Sequence, residues 1–342
     1  MKNIDRNAYL KYALNLTQTE CARREQFSEW LPQEIIDCHA HSNLEEHVTS
    51  MSERTRAHML STFPYFSLEE SKMIQETLHP GKKIRTLRFP KTFRGIGQRA
   101  ANEYLLQKSP AEDRVALFGL PEDIEYTISM LAHPRVSALK MYYSYVEPTA
   151  QTIYETFMPE ILEEAQRLNK PIILHLPKMI VRSIGDIKQM LKDFPSLRVV
   201  IAHLGSTKFV VPGLKDAYSE LALCKNISLD TALNPSGDVV RMALECFGSE
   251  RIMYGSDEPL HLIRSVAYDH PQKGQRIITD YPYHWVDSSE FIQFGHLATN
   301  AVHAHWQALG ALRIAIESLP KIEQNAVRQK MFLTNARDFF GF

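Results

Sequence analysis

Along this chain, short runs of Val, Ile and Leu alternate with longer stretches in which apolar residues recur at helical spacing. The runs at 34–38, 84–89, 114–119, 136–142, 171–175, 198–202, 226–230 and 251–254 read as strands. Between them, 95–108, 121–132, 151–168, 184–194, 214–224 and 237–247 read as amphipathic helices. Continuous apolar strands alternating with helices predict a parallel sheet covered by helices on its outer face. Eight such units predict a closed (β/α)8 TIM barrel. A doubly wound open sheet is the alternative, but no G-x-G-x-x-G follows the first strand.

The remaining segments fit around that barrel. Residues 1–33 are polar, with Tyr9, Leu10, Tyr12, Ala13 and Leu16 at helical spacing, and form an N-terminal helical extension packed on the outside or floor. Residues 42–83 make a long insertion after strand one, with a capped helix opening at Ser67; such a segment suits a lid or a substrate-binding insertion. Residues 260–300, rich in Tyr, His, Pro and Asp, form a second insertion at the mouth, and helices follow at 301–318 and 324–340. The chain is expected to be one domain, 1–342, a distorted barrel with its core at 34–259 and the mouth insertion and C-terminal helices at 260–342.

Charge and composition exclude several classes. Lys and Arg number 39 against 40 Asp and Glu, a net charge of -1, so nothing biases the chain toward nucleic acid or an anionic membrane. No apolar run approaches the roughly 18 residues of a spanning helix, and the N-terminus has no signal-peptide core. Four cysteines without C-x-x-C make neither a disulfide framework nor a structural zinc site. A cytoplasmic, soluble protein is the expectation, and a homodimer is compatible with it.

The candidate chemistry lies at the strand ends. Strand one runs Ile35-Ile36-Asp37-Cys38-His39-Ala40-His41, and on a strand the alternation of faces points His39 and His41 the same way, with Asp37 beside them. Strand five ends in His175, strand six in His203 and strand eight in Asp257, while strand four carries Lys140 amid apolar residues. In a barrel, polar residues at the C-terminal strand ends converge on one mouth. A second His-x-His, His303-Ala304-His305, reads as helix, where residues two apart diverge by about 200 degrees and cannot share a metal; both are expected to be structural or surface residues. His47 and His58 are expected at the surface. Of Arg85, Arg88, Lys91 and Arg94, on or just after strand two, Arg88 and Arg94 could bind a substrate carboxylate in bidentate fashion. Tyr142, Tyr143 and Tyr145 could line the pocket, and Glu258 and His261 could support the site from behind.

Asp-x-His-x-His on strand one, the histidines ending strands five and six, and Gly-Ser-Asp-x-Pro at 255–259 resemble the amidohydrolase superfamily. The branch they resemble is amidohydrolase 2, which includes metal-dependent hydrolases, lactonases and decarboxylases similar to aminocarboxymuconate-semialdehyde decarboxylase. The similarity spans about 34–259, and the closing stretch 332–341 looks like the end of that branch. The resemblance implies a divalent metal, zinc first, held by His39, His41, His175 and Asp257, with Asp257 as general base and His203 polarising the substrate carbonyl or orienting water. Two ions would instead use a carboxylated Lys140 as bridge, with His203 as a further ligand. The expected reaction is hydrolysis of an amide, ester or lactone; the alternative is non-oxidative decarboxylation of an unsaturated or aromatic acid.

Overall fold

The computed structural model describes residues 6–49, 63, 65–93, 95–141, 150–283 and 286–342. Eight strands form one sheet: β1 Glu34–His41, β2 Lys83–Phe89, β3 Arg114–Phe118, β4 Val136–Met141, β5 Ile172–Leu174, β6 Val199–Ile201, β7 Ile227–Asp230 and β8 Ile252–Met253. Each pairs in parallel with the next in sequence. The backbone just beyond β8 returns to β1: the Cys38 N–H donates to Tyr254 O at 3.0 Å, the Asp257 N–H to His39 O at 2.8 Å and the His41 N–H to Glu258 O at 2.7 Å. These bonds close the ring, and helices between the strands cover it, making a (β/α)8 barrel.

The strands are apolar on both sides because both sides are buried. Ile36, Leu87, Ala116, Ala138, Ile173, Val200 and Met253 fill the interior together with Ala336 and Phe340 of the last helix. That helix closes the floor, since Arg114 and Arg198, at the starts of β3 and β6, donate to Gly341 O and Phe339 O. A π-helical turn, Lys330–Thr334, precedes it and sets Phe332 flat against Tyr254, with ring centroids 4.8 Å apart.

The N-terminal extension is two helices, Arg6–Leu14 and Gln18–Trp30, the second opened by a reciprocal Thr17–Glu20 cap. Phe27 stacks on Trp306 and Trp30 meets Phe332 edge-on, so the extension rides on the C-terminal helices. The mouth insertion contains structure that the sequence pattern did not reveal: β9 Arg264–His270 and β10 Gly274–Thr279 form an antiparallel hairpin, and β11 Val302–His303 pairs on the other side of β9. Gly274, at φ +69°, turns the hairpin in a conformation that side chains disfavour. The helix that follows starts at Ala304, so His303 ends a strand while His305 lies in the first helical turn. Neither is a surface residue; His303 is 0% and His305 3% exposed. Among the described residues, no helix is long and apolar enough to cross a membrane.

Candidate metal centre

The β1–β2 register shifts between Asp37 and Ala40. This irregularity corrects the expectation that Asp37 shares a face with the two histidines. Asp37 faces the same small cavity as Ile35 and accepts the backbone N–H groups of His39 and Ser256 and the Ser256 hydroxyl. His39 and His41 instead meet Asp257, and the donor atoms of these three buried residues all lie within 4.8 Å of one another.

Hydrogen bonds orient both rings. His41 donates Nδ1–H to Pro90 O at 2.9 Å, and His39 donates Nδ1–H to Asp230 Oδ2 at 2.8 Å. In neutral rings the lone pairs are then on the Nε2 atoms, which face Asp257 Oδ1 at 3.1 Å from His41 and 3.6 Å from His39. Burial holds both imidazoles below their ordinary pKa, His41 at about 3, so they are neutral near pH 7. Burial opposes ionisation of Asp257, but its imidazole neighbours His41, His39 and His203 hold its pKa well below the usual carboxylate range. An anionic oxygen facing two unprotonated nitrogens is repulsive unless a cation lies between them. The edge of a tetrahedral site with bonds of about 2.0–2.1 Å is about 3.3 Å, which matches these separations. The donor set therefore fits a divalent cation.

Asp257 reaches this position through a strained backbone, at φ 62°. Gly255 allows the close approach: a Cβ there would stand 2.8 Å from the His39 Cβ. His175 and His203 complete the wall, lining with Asp257, Asn234 and Lys208 a cavity of about 200 Å³. Their rings lie 5.1 Å apart, and the His203 ring lies 4.8 Å from that of His39. His175 is not part of the tight three-residue group but lines the same cavity as Asp257. The β6 end is bent sharply, with positive φ from His203 to Ser206, and the His203 Nδ1–H donates to Ala232 O at 3.0 Å.

Lys140 is 1% exposed, and its ammonium has no hydrogen-bond partner among the described residues; it stands 5.0 Å from the Phe89 ring centre. Burial lowers its pKa to about 8 against the pull of Asp230 and Asp257. Arg88 does not line the 200 Å³ cavity. It is spent inside the protein, with Nε 2.6 Å from Asp113 and Nη1 2.8 Å from the Ser71 hydroxyl and 3.8 Å from Glu258. Glu258 and His261 sit behind the site around Asp37, buried. His47 is also buried, its Nδ1 accepting the Leu44 N–H at 3.1 Å. Arg94, Tyr142, Tyr143, Tyr145 and His58 lie outside the described residues.

The sequence reading missed Asp230. It ends β7, is 0% exposed, and besides His39 it accepts the backbone N–H groups of His203 and Ala232 at 2.8 and 3.1 Å. A carboxylate behind a ligating imidazole fixes its tautomer and raises its basicity. The signal was present, since Ile227-Ser228-Leu229-Asp230 is an apolar strand ending in a polar residue, like β5 and β6.

No protein of curated function matches this chain. Several solved structures share its fold. A 2,6-dihydroxybenzoate decarboxylase complexed with 2,6-dihydroxybenzoate aligns at TM-score 0.55 and 13% identity, covering 91% of this chain and 100% of that one. A probable 2-pyrone-4,6-dicarboxylic acid hydrolase from Acinetobacter baumannii aligns at TM-score 0.56 and 15% identity, covering 90% and 99%. An amidohydrolase from Burkholderia multivorans with bound zinc aligns at TM-score 0.55 and 12% identity, covering 90% and 99%. The family model described as amidohydrolase matches residues 36–342, which contain every residue of the site described above, and the chain belongs to that family.

Proposed function

We propose that this protein is a metal-dependent hydrolase that cleaves an amide, ester or lactone bond of a small molecule. The observation that carries the reading is the meeting of His39 and His41 Nε2 with Asp257 Oδ1, unprotonated and oriented, at the edge of a 200 Å³ cavity. His39, His41, Asp257 and His175, which lines the same cavity as Asp257, would hold one divalent ion, zinc first. When bound, such an ion lowers the pKa of a water and polarises a carbonyl oxygen.

The chain's own groups do the rest. Asp257 is ionised at neutral pH and takes the proton of the attacking water, then returns it to the leaving group. His203 is anchored through Nδ1–H on Ala232 O, so Nε2 is an acceptor in the neutral ring and orients that water; in the protonated ring it donates to the carbonyl. Lys140 serves as a fixed cation beside the site, its charge disfavouring protonation of His39.

Incubation of zinc-loaded protein with a panel of lactones, esters, amides and carboxylated aromatics, followed for acid release and for carbon dioxide, tests the reading. Acid release without carbon dioxide is expected; carbon dioxide from a carboxylated substrate with no acid release would replace hydrolysis by decarboxylation.

A further inference from the structure

Two cavities lie at the mouth, and the smaller one contains the candidate catalytic groups. At about 200 Å³ it falls below the roughly 300–1,000 Å³ of ordinary ligand pockets, whereas the cavity under the β9–β10 hairpin, about 710 Å³, lies within that range. Three consecutive residues after β6, Ser206, Thr207 and Lys208, line both, so the cavities meet along that loop.

The loop is a fixed ledge. Its approach is a left-handed turn, with positive φ at His203, Leu204, Gly205 and Ser206. The Tyr218 hydroxyl donates to Leu204 O at 2.8 Å and Asn234 Nδ2–H to Thr207 O at 2.6 Å, while a Cβ on Gly205 would stand 2.5 Å from that of Ile180. The Thr207 hydroxyl is spent on Gly205 O at 3.2 Å. Three residues span at most about 11 Å, so a ligand held beside Asp257 crosses the ledge with a chain of moderate length.

The lining of the hairpin cavity decides what crosses. Met179, Phe209, Val210, Val211, Ile277 and Val286 form an apolar wall in which none is fully buried, and Val210 is 48% exposed. The charges among them are cancelled locally. Arg276 and Lys273 both pair with Glu290, at 3.1 and 3.2 Å, and Asp287 accepts the Glu290 N–H at 2.9 Å and the Ser289 hydroxyl. Lys208 has no such partner among the described residues, but it is exposed and stays hydrated. A charged tail therefore gains little here, while an apolar one displaces water from the wall, at about four-fold in affinity for each methylene buried.

We propose that the ligand has two parts: a polar reacting group in the cavity beside Asp257, and an uncharged alkyl tail that crosses the Ser206–Lys208 ledge into the hairpin cavity. This assignment rests on the metal centre of the proposed function, but not on which bond is broken there.

Calorimetric titration of the zinc-loaded protein with the straight-chain aceto-, butyro-, hexano- and octanohydroxamic acids tests it, because the hydroxamate chelates the ion and the chain reports on the tail site. Affinity should rise along the series, by about thirty-fold or more from the first to the last. Suberic acid monohydroxamate, which ends the same chain in a carboxylate, should bind at least about five-fold more weakly than octanohydroxamic acid. Val210→Glu, at an exposed position, should weaken octanohydroxamic acid about ten-fold and leave acetohydroxamic acid binding and zinc content unchanged. A flat series, a terminal carboxylate that binds as tightly as the alkyl chain, or a Val210→Glu series like that of the wild type would overturn the assignment. Acetohydroxamic acid that fails to bind the zinc-loaded protein would overturn it together with the metal centre, whereas tight acetohydroxamic acid binding with a flat series overturns it alone. A rising series in a protein that releases carbon dioxide instead of acid leaves the tail site standing without the hydrolase reading.

Discussion

Replacing Asp230 by asparagine removes one charge and almost no volume, yet it should weaken metal binding. The carboxylate uses three contacts: Oδ2 accepts His39 Nδ1–H at 2.8 Å, and Oδ1 accepts the N–H groups of His203 and Ala232 at 2.8 and 3.1 Å. An amide offers only one oxygen. If that oxygen stays on the two backbone donors, the amide NH2 faces His39 Nδ1, which must become an acceptor. The ring proton then moves to Nε2, the nitrogen that faces Asp257, and its lone pair is lost to the cation. If the amide is flipped, its NH2 faces two buried donors, at about 1–3 kcal/mol for each group left unpaired. The first arrangement is the cheaper one, and it transfers the damage to the metal. Loss of such a supporting group costs about 10–100-fold in metal affinity, or about 1.4–2.7 kcal/mol. Competition with a chromophoric chelator at pH 7.5 measures it directly. Zinc affinity within three-fold of wild type in Asp230→Asn would refute the tautomer argument.

Other outcomes follow from the same geometry. Asp257→Asn should lower turnover by about 10²–10⁴-fold while circular dichroism shows a retained fold; wild-type turnover would remove Asp257 from the mechanism. Gly255→Ala puts a Cβ 2.8 Å from that of His39 and should weaken zinc binding by displacing the ring, read in the same chelator assay. Acid should destabilise the protein through the buried rings of His79, His261 and His305, which pack with centroids 4.8 and 5.1 Å apart. Burial holds His79 at about 4 and His261 at about 3, below their unfolded values, so they are neutral in the fold. Their contribution is full above about pH 6.5 and is lost as pH falls, because the unfolded chain then binds the protons. His79→Phe, which keeps the ring packing, should therefore lose about 2 kcal/mol less stability than wild type between pH 7 and 5, measured by urea unfolding of metal-stripped proteins. Equal losses would show that His79 is charged in the fold.

The alternation of apolar runs was enough to place all eight barrel strands, because a parallel sheet buried on both faces must be written in Val, Ile and Leu. The strand ends were legible for the same reason: His39, His41, His175, His203 and Asp257 stand where an apolar run stops. What the pattern hid was non-local. The irregularity in β1 that turns Asp37 away depends on pairing with β2, and the Asp113 that takes up Arg88 lies 25 residues away from it. The hairpin β9–β10 escaped notice because Arg264–His270 is half exposed and polar, so its short alternation resembles a loop. His303 and His305 read as one helix, yet His303 ends β11 and only His305 is helical, and their burial comes from the N-terminal extension and the histidine cluster, which spacing alone does not show.

Metal content is the most direct test of the central claim, that His39, His41 and Asp257 are the core of a metal centre. Protein purified without chelator and analysed by inductively coupled plasma mass spectrometry should carry about one divalent ion per chain, zinc foremost. His41→Ala, prepared in the same way, should carry almost none. Wild-type protein without stoichiometric metal after growth in metal-replete medium, or a His41→Ala variant that keeps its full complement, would contradict the account.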